Sequence, residues 1–512
     1  MMKRLKSMIY LACAAVLLGS ITTANAETVT PETARLVAEN YARLTIVRDG
    51  TWGRFDEARV HSVEPFRGTT RDLGWFCHVE PTGYILVAMY VDMMPVHAYS
   101  NRSDFDPSES GGMAAFFRAK LEGKYTAIEA KLGRAIAPTD DLRPILERSY
   151  RDSWSALADP AFDPTSYRQV RKNRSAGMDY QEGETMLLST WDQSPPYNDD
   201  CPDRGCSWET FDHFNANGWA GCVATAMAQM LRHHNWPPAG ANAPEYEDPY
   251  DWPNMLNKYV YDGAGWFTDE NGTLVTQAQI DAVAEISREM GMSVSMDYGC
   301  SGSSAYMEDC EEAMETHFFI HDGCQVLDRS DYTFDRWYEL YQAEFDANRP
   351  AGIGIPDHMV VGDGWRIENI GGVDWRQIHV VYGWNGTHDA WYSPDDITGD
   401  PDDTMLRGVR PNCVLNSNPS GTYTTDGNTW RYFNRDVYTD GAVFEQGHWL
   451  QILMPGFLIT NTGTTPTDKI EFRGGAAGNT RLFMNGDPGG ERRMLMIDGT
   501  FRINSGGQVA FY

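Results

Sequence analysis

The segment Asn217-Gly-Trp-Ala-Gly-Cys222-Val-Ala-Thr-Ala-Met-Ala-Gln-Met230 constrains this chain more than any other. Asn and Gly interrupt regular structure before residue 222, and strong helix formers follow it without a break. Cys222 is therefore expected at or near a helix N-terminus. Exposed N–H groups and the helix dipole there favour thiolate over thiol, the state that a nucleophilic cysteine needs. A buried structural cysteine packed at a helix start fits the segment equally well.

Two more helices are expected, from Gln277 to Met290 and from Asp309 to Phe319. After Gly352 the pattern turns to strands: His358 to Val361, Trp365 to Ile367, Ile378 to Tyr382 and Asp389 to Tyr392. Helices first and strands afterwards predict α+β architecture for a domain spanning 186–455. With 512 residues the chain is too long for one ordinary core. Residues 27–150 predict a separate small α+β unit, with a helix opening at Thr30, strands at 83–90 and 95–99, and a helix from Gly112 to Leu132. The polar stretch 151–185, carrying Arg168, Arg171, Lys172 and Arg174, predicts an exposed linker open to proteolytic nicking. Residues 456–512, rich in Gly, Thr and Asn, predict a small β appendage without an evident internal repeat.

Lys3, Arg4 and Lys6, the apolar stretch Met8 to Leu18 and the small residues Ala24-Asn25-Ala26 predict a signal peptide over 1–26. No later segment is apolar for long enough to span a bilayer, so no membrane association is expected once that signal is removed. A net charge of −30 repels phosphate backbones and argues against nucleic-acid binding. Of nine cysteines, Cys13 leaves with the signal. If Cys222 is a free thiol, the other six beyond residue 200 can form three bridges, and Cys77 stands alone as a small buried hydrophobe. No Cys/His spacing suggests zinc.

A thiolate needs a base, and two histidines qualify. His358 follows Cys222 by an interval within the roughly 130–150 residues typical of papain-like enzymes, and His379 lies just outside it. His358 opens its strand, where a side chain reaches a cleft edge, whereas His379 sits inside an apolar run that suits a sheet-face role. These points favour His358 without excluding His379.

Thr190-Trp-Asp-Gln193-Ser-Pro-Pro-Tyr-Asn198, Gly221-Cys-Val-Ala-Thr-Ala-Met-Ala-Gln229, His234-Asn-Trp-Pro237 and Val294-Ser-Met-Asp-Tyr-Gly299 resemble the streptopain family of secreted bacterial cysteine peptidases. They come in the family's order, as do His358 and the Trp384 turn. The N-terminal unit, including Pro95-Val-His-Ala-Tyr-Ser100, resembles the family's inhibitory propeptide. The resemblance implies a papain-like two-part peptidase domain made as a zymogen and acting on protein or peptide substrates without cofactor or metal. It makes Cys222 the nucleophile and His358 the general acid/base, with the Gln193 amide assisting the oxyanion. Ser304 and Asp357 fall in the substrate cleft. Asp357 stands where the family usually has glycine.

Val381 departs from the pattern, since the family has an Asn there to orient the histidine. Valine accepts no hydrogen bond, so the role falls to Asn385 or a backbone carbonyl, or activity is weakened; Trp384 is expected to shield the pair. Asp395, Asp396, Asp400, Asp402 and Asp403 lack a calcium-loop pattern and suit a solvated loop. His233 and His234 point apart on a helix and do not suit a ligand pair. The rival expectation is a secreted, non-catalytic binding protein on a lapsed peptidase fold.

Overall fold

The computed structural model describes residues 28–410, except 139, 168–181, 209–213, 238, 322, 356–357, 388 and 395–402, and beyond 410 only the strands given below. The signal sequence, Asp357, Cys413 and the Arg168–Arg174 cluster thus lie outside the described residues. The fold is α+β, as expected.

Helix α1 (Pro31–Asp49) starts where Thr30 Oγ1 accepts from the Thr33 N–H at 3.2 Å, and ends at the left-handed Gly50. Four antiparallel strands follow: β1 (Arg59–Arg67), β2 (Asp72–Glu80), β3 (Tyr84–Ala88) and β4 (Val96–Ser100). Then come α2 (Gly112–Leu132) and α3 (Arg151–Leu157). Helix α3 corrects the expectation of an exposed linker from 151. Trp154 and Leu157 are buried, and the Ser153 hydroxyl donates to the Ile370 carbonyl at 2.7 Å while accepting from the Trp375 indole at 2.8 Å. Two apolar residues three positions apart anchor a short turn whose composition is otherwise polar.

The larger unit begins with α4 (Cys222–His234), the short pair β5 (Val260–Tyr261) and β6 (Phe267–Thr268), α5 (Gln277–Ser293) and α6 (Asp309–His317). After β7 (Gln325–Asp328) and α7 (Phe334–Asp346) it continues as β8 (Ala351–Ile355), β9 (His358–Ile370), β10 (Val373–Val381), β11 (Ala390–Tyr392) and β12 (Thr404–Arg407). One face of β9 and β10, carrying Met359, Val361 and Val381, packs in one core with Val223 and Met227 of α4. The alternate residues Val360, Ile378 and Val380 join a second core, which contains the N-terminal unit. This is the period-two division that a strand buried on both faces imposes.

The two units share one sheet, in the order β1-β2-β3-β4-β11-β10-β9-β8-β12-β7. At the junction Trp391 pairs with Tyr99, and Tyr392 with Ala98. Buried polar contacts also cross it. Lys120 pairs with Asp403 and Arg48 with Glu368, and the Arg366 guanidinium donates to the Tyr99 hydroxyl at 2.8 Å. Asp403 is thus a buried, ion-paired residue, not part of a solvated loop; the other four aspartates lie outside the described residues.

Beyond residue 410 the strands pair in parallel. Thr429–Phe433, His448–Ile452, Arg481–Met484 and Gln508–Phe511 form one ladder. Ser420–Tyr423, Val437–Glu445, Lys469–Arg473 and Thr500–Ile503 form another. In each ladder successive strands of the chain pair in parallel, a regularity that composition did not reveal. Both ladders cross the boundary expected at 455, their first strands opening at Ser420 and Thr429.

Candidate active site

Gly221 sets the geometry before the cysteine. Its φ is 90°, and a Cβ there would lie 2.7 Å from the Met296 sulfur, so only glycine fits. Cys222 is the first residue of α4 and is half-buried. Burial pushes its thiol pKa up, while the backbone N–H groups of Met359, Val223 and Cys222 itself pull the other way. This corrects the expectation of a thiolate at the helix start: in this covered site, desolvation outweighs the helix-terminal N–H groups.

The Met359 N–H at the thiol brings Cys222 to the start of β9, where His358 stands. His358 Nε2 lies 3.0 Å from the Tyr382 carbonyl oxygen, and its ring is 4.3 Å from the Tyr382 ring. A carbonyl only accepts, so Nε2 carries the proton and Nδ1 keeps a lone pair. Burial pushes this imidazole down to about 4, against an upward pull from the Tyr382 carbonyl. His379 is engaged elsewhere, with Nδ1 2.6 Å from Asp363 Oδ1 and its ring 5.3 Å from Trp391.

Val381 is 3% exposed and faces the α4 core. Of the expected replacements for an orienting Asn, a backbone carbonyl is the one found at His358. The Asn385 N–H donates to the Trp191 carbonyl at 3.2 Å, and its Oδ1 is buried without a hydrogen-bond partner. The Trp384 ring lies 6.1 Å from His358 and stands perpendicular to Tyr382 at 5.0 Å.

Gln193 is buried, and its carbonyl accepts from the Ala220 N–H at 2.9 Å, docking its loop two residues before the cysteine. Ser304 is exposed and exchanges both backbone hydrogen bonds with Asp297. Its neighbour Ser303, which the motifs did not single out, donates to the Trp219 carbonyl at 2.7 Å. A disulfide, Cys206–Cys300, ties this loop to the segment before Cys222. The Trp219 indole also donates to the Cys300 carbonyl, at 3.0 Å. Cys201, Cys310 and Cys324 are free and buried, as is Cys77, so the three bridges that parity allowed do not form; Cys206–Cys300 is the one bridge among the described residues. His234 is buried, with Nε2 3.2 Å from the Val409 carbonyl, which gives it a packing role.

The N-terminal unit reaches this site. Gly112, at φ 61°, sits so close to the Trp384 indole that a Cβ would lie 2.8 Å from it. Phe116, one turn further along α2, packs edge-on to Tyr382 at 5.7 Å.

Residues 191–392, which contain this half-buried cysteine at a helix start and this strand-opening histidine, match the model of the Peptidase C10 family. Over these residues the chain is similar to the Peptidase C10 family, and cysteine peptidases are its relatives. Streptopain of Streptococcus pyogenes is 28% identical over 345 residues, covering 62% of this chain and 73% of the relative. The thiol protease/hemagglutinin PrtT of Porphyromonas gingivalis is 23% identical over 314 residues, covering 60% of this chain and 32% of its own length. A prointerpain A fragment of Prevotella intermedia is a similar solved structure, with 22% identity and a TM-score of 0.45, covering 68% of this chain and 99% of the fragment. Among the described residues no helix is long and apolar enough to cross a membrane.

Proposed function

We propose that the chain is the secreted zymogen of a cysteine endopeptidase, with Cys222 as nucleophile and His358 as general acid/base. One observation carries this reading: the Cys222 thiol meets the Met359 N–H, next to a His358 whose far nitrogen is held by the Tyr382 carbonyl. That hold leaves Nδ1 to take the thiol proton. The thiolate then attacks a peptide carbonyl, and the imidazolium protonates the leaving amine. Water activated by His358 releases the acyl-enzyme. The Cys222 N–H and the Gln193 amide are the proposed oxyanion donors, with Ser304 and Asp357 in the cleft.

Inhibition by the N-terminal unit has a physical basis in the same site. Gly112 and Phe116 cover Trp384 and Tyr382, and burial favours a neutral thiol beside a neutral imidazole. Removing the cover admits water and relieves the cost of the ion pair. Export rests on the signal sequence. A lapsed peptidase loses its main support, because the orienting acceptor that Val381 cannot supply is present in the backbone.

The test is Cys222→Ala. An epoxide inhibitor should label the wild-type protein and not the variant, and internal cleavage of an unfolded protein substrate should disappear along with self-processing. Hydrolysis at wild-type rates in the variant would end this reading.

A further inference from the structure

We propose that Asp389 is a positioning residue for the His358 imidazole, acting through Tyr382; this rests on the Cys222/His358 reading. Tyr382 contributes both the carbonyl at Nε2 and the ring packed against the imidazole. Yet it lies just past the end of β10, whose last pair is Val381 with Val361. Among the described residues the ladder stops one residue short of it, and Gly383 follows at φ 77°. What holds its N–H is a carboxylate: Asp389 Oδ1 accepts it at 3.0 Å. Asp389 is itself anchored, because it precedes β11, whose Ala390 pairs with Val380. In the unprocessed chain its carbonyl also accepts from the Ser100 hydroxyl at 3.2 Å, whereas the β11 pairing is retained after processing. The chain of contacts runs from carboxylate to Tyr382 N–H, and from Tyr382 carbonyl to imidazole.

The charged groups around Asp389 come from three elements: His379 on β10, Asp363 on β9 and Arg102 from the N-terminal unit. Burial, helped by the Asp363 charge, pushes the Asp389 carboxyl up to about 6, while His379, the Tyr382 N–H and Arg102 pull it down. An ionised carboxylate accepts a stronger hydrogen bond than its protonated form. Acidification through that range therefore slackens the hold on Tyr382 and lowers kcat.

Three processed enzymes are compared on one peptide: wild type, Asp389→Asn and Asp389→Ala. Active thiol is counted by epoxide titration, and kcat is measured from acid to neutral pH. Asp389→Asn, which keeps an oxygen acceptor without charge, should lose about tenfold in kcat at neutral pH, and Asp389→Ala about 10²-fold, with KM little changed. The wild-type acid limb should contain a step that Asp389→Asn lacks. A purely structural role would lower the titratable fraction and leave kcat per active thiol and the acid limb unchanged; that result overturns the inference. Should Asp389→Ala fail to fold, the Asp389→Asn acid limb decides alone. A wild-type enzyme without a titratable thiol defeats the underlying reading, and this inference with it.

Discussion

Val381 illustrates how a residue can be judged by the wrong face. In sequence it stands where the family has an orienting Asn, and it looks like a defect. Its side chain instead fills the core between β9, β10 and α4, while the next residue presents a backbone oxygen to His358. Val381→Asn should therefore bring no gain in kcat and cost about 1–3 kcal/mol of stability, because an amide would be buried without partners. Thermal unfolding and a pH–rate profile check this, and a raised kcat would contradict it. The helix start at Cys222 was legible in the sequence because glycine and a helix-forming run leave their mark in the letters. The strand opening at His358 was legible in the apolar run that follows it. The Tyr382 carbonyl was not, since every residue carries one and no letter tells which is aimed at an imidazole.

Among the described residues, the loop from Asp297 to Ser304 is held by a disulfide. Cys206–Cys300 joins it to the segment leading into α4, and the Trp219–Cys300 and Ser303–Trp219 hydrogen bonds lie beside the bridge. Replacing both cysteines by serine should raise KM about fivefold, as ordering of the cleft wall must then come from substrate binding. The same change should lower stability by about 2–4 kcal/mol and leave kcat nearly unaltered. Steady-state kinetics and thermal unfolding read both effects; unchanged KM would mean that the hydrogen bonds suffice. Cysteine parity allowed several bridges and could not choose among them, because pairing depends on distances between loops far apart in the chain. Helix α3 was equally hidden. Only Trp154 and Leu157 mark it as buried, too short a pattern to stand out from a polar stretch.

For the whole molecule, the decisive fact is that the N-terminal unit is built into the peptidase. Tyr41 stacks on Trp375 at 5.8 Å, and Lys120 and Asp403 form a buried pair across the junction. The sequence showed two units of separate composition, but a strand junction joining Tyr99 to Trp391 leaves no local trace. Nicking near the Arg168–Arg174 cluster should therefore not separate the pieces, and the fragments should co-elute in size exclusion. Lys120→Ala, which leaves Asp403 buried without its cation, should weaken inhibition in trans by an isolated N-terminal unit about 10²-fold or more. Early separation of the nicked wild-type fragments would refute the shared-core account. Removal of the N-terminal unit, as proposed, would then do more than uncover a cleft. When β4 departs, the N–H and C=O groups along one side of Trp391 and Tyr392 lose their partners, and a protected interior seam becomes a raw margin that any extended chain can zip onto. At three residues, β11 keeps that margin short, which limits how firmly free enzyme molecules or their cleaved products can stick to one another.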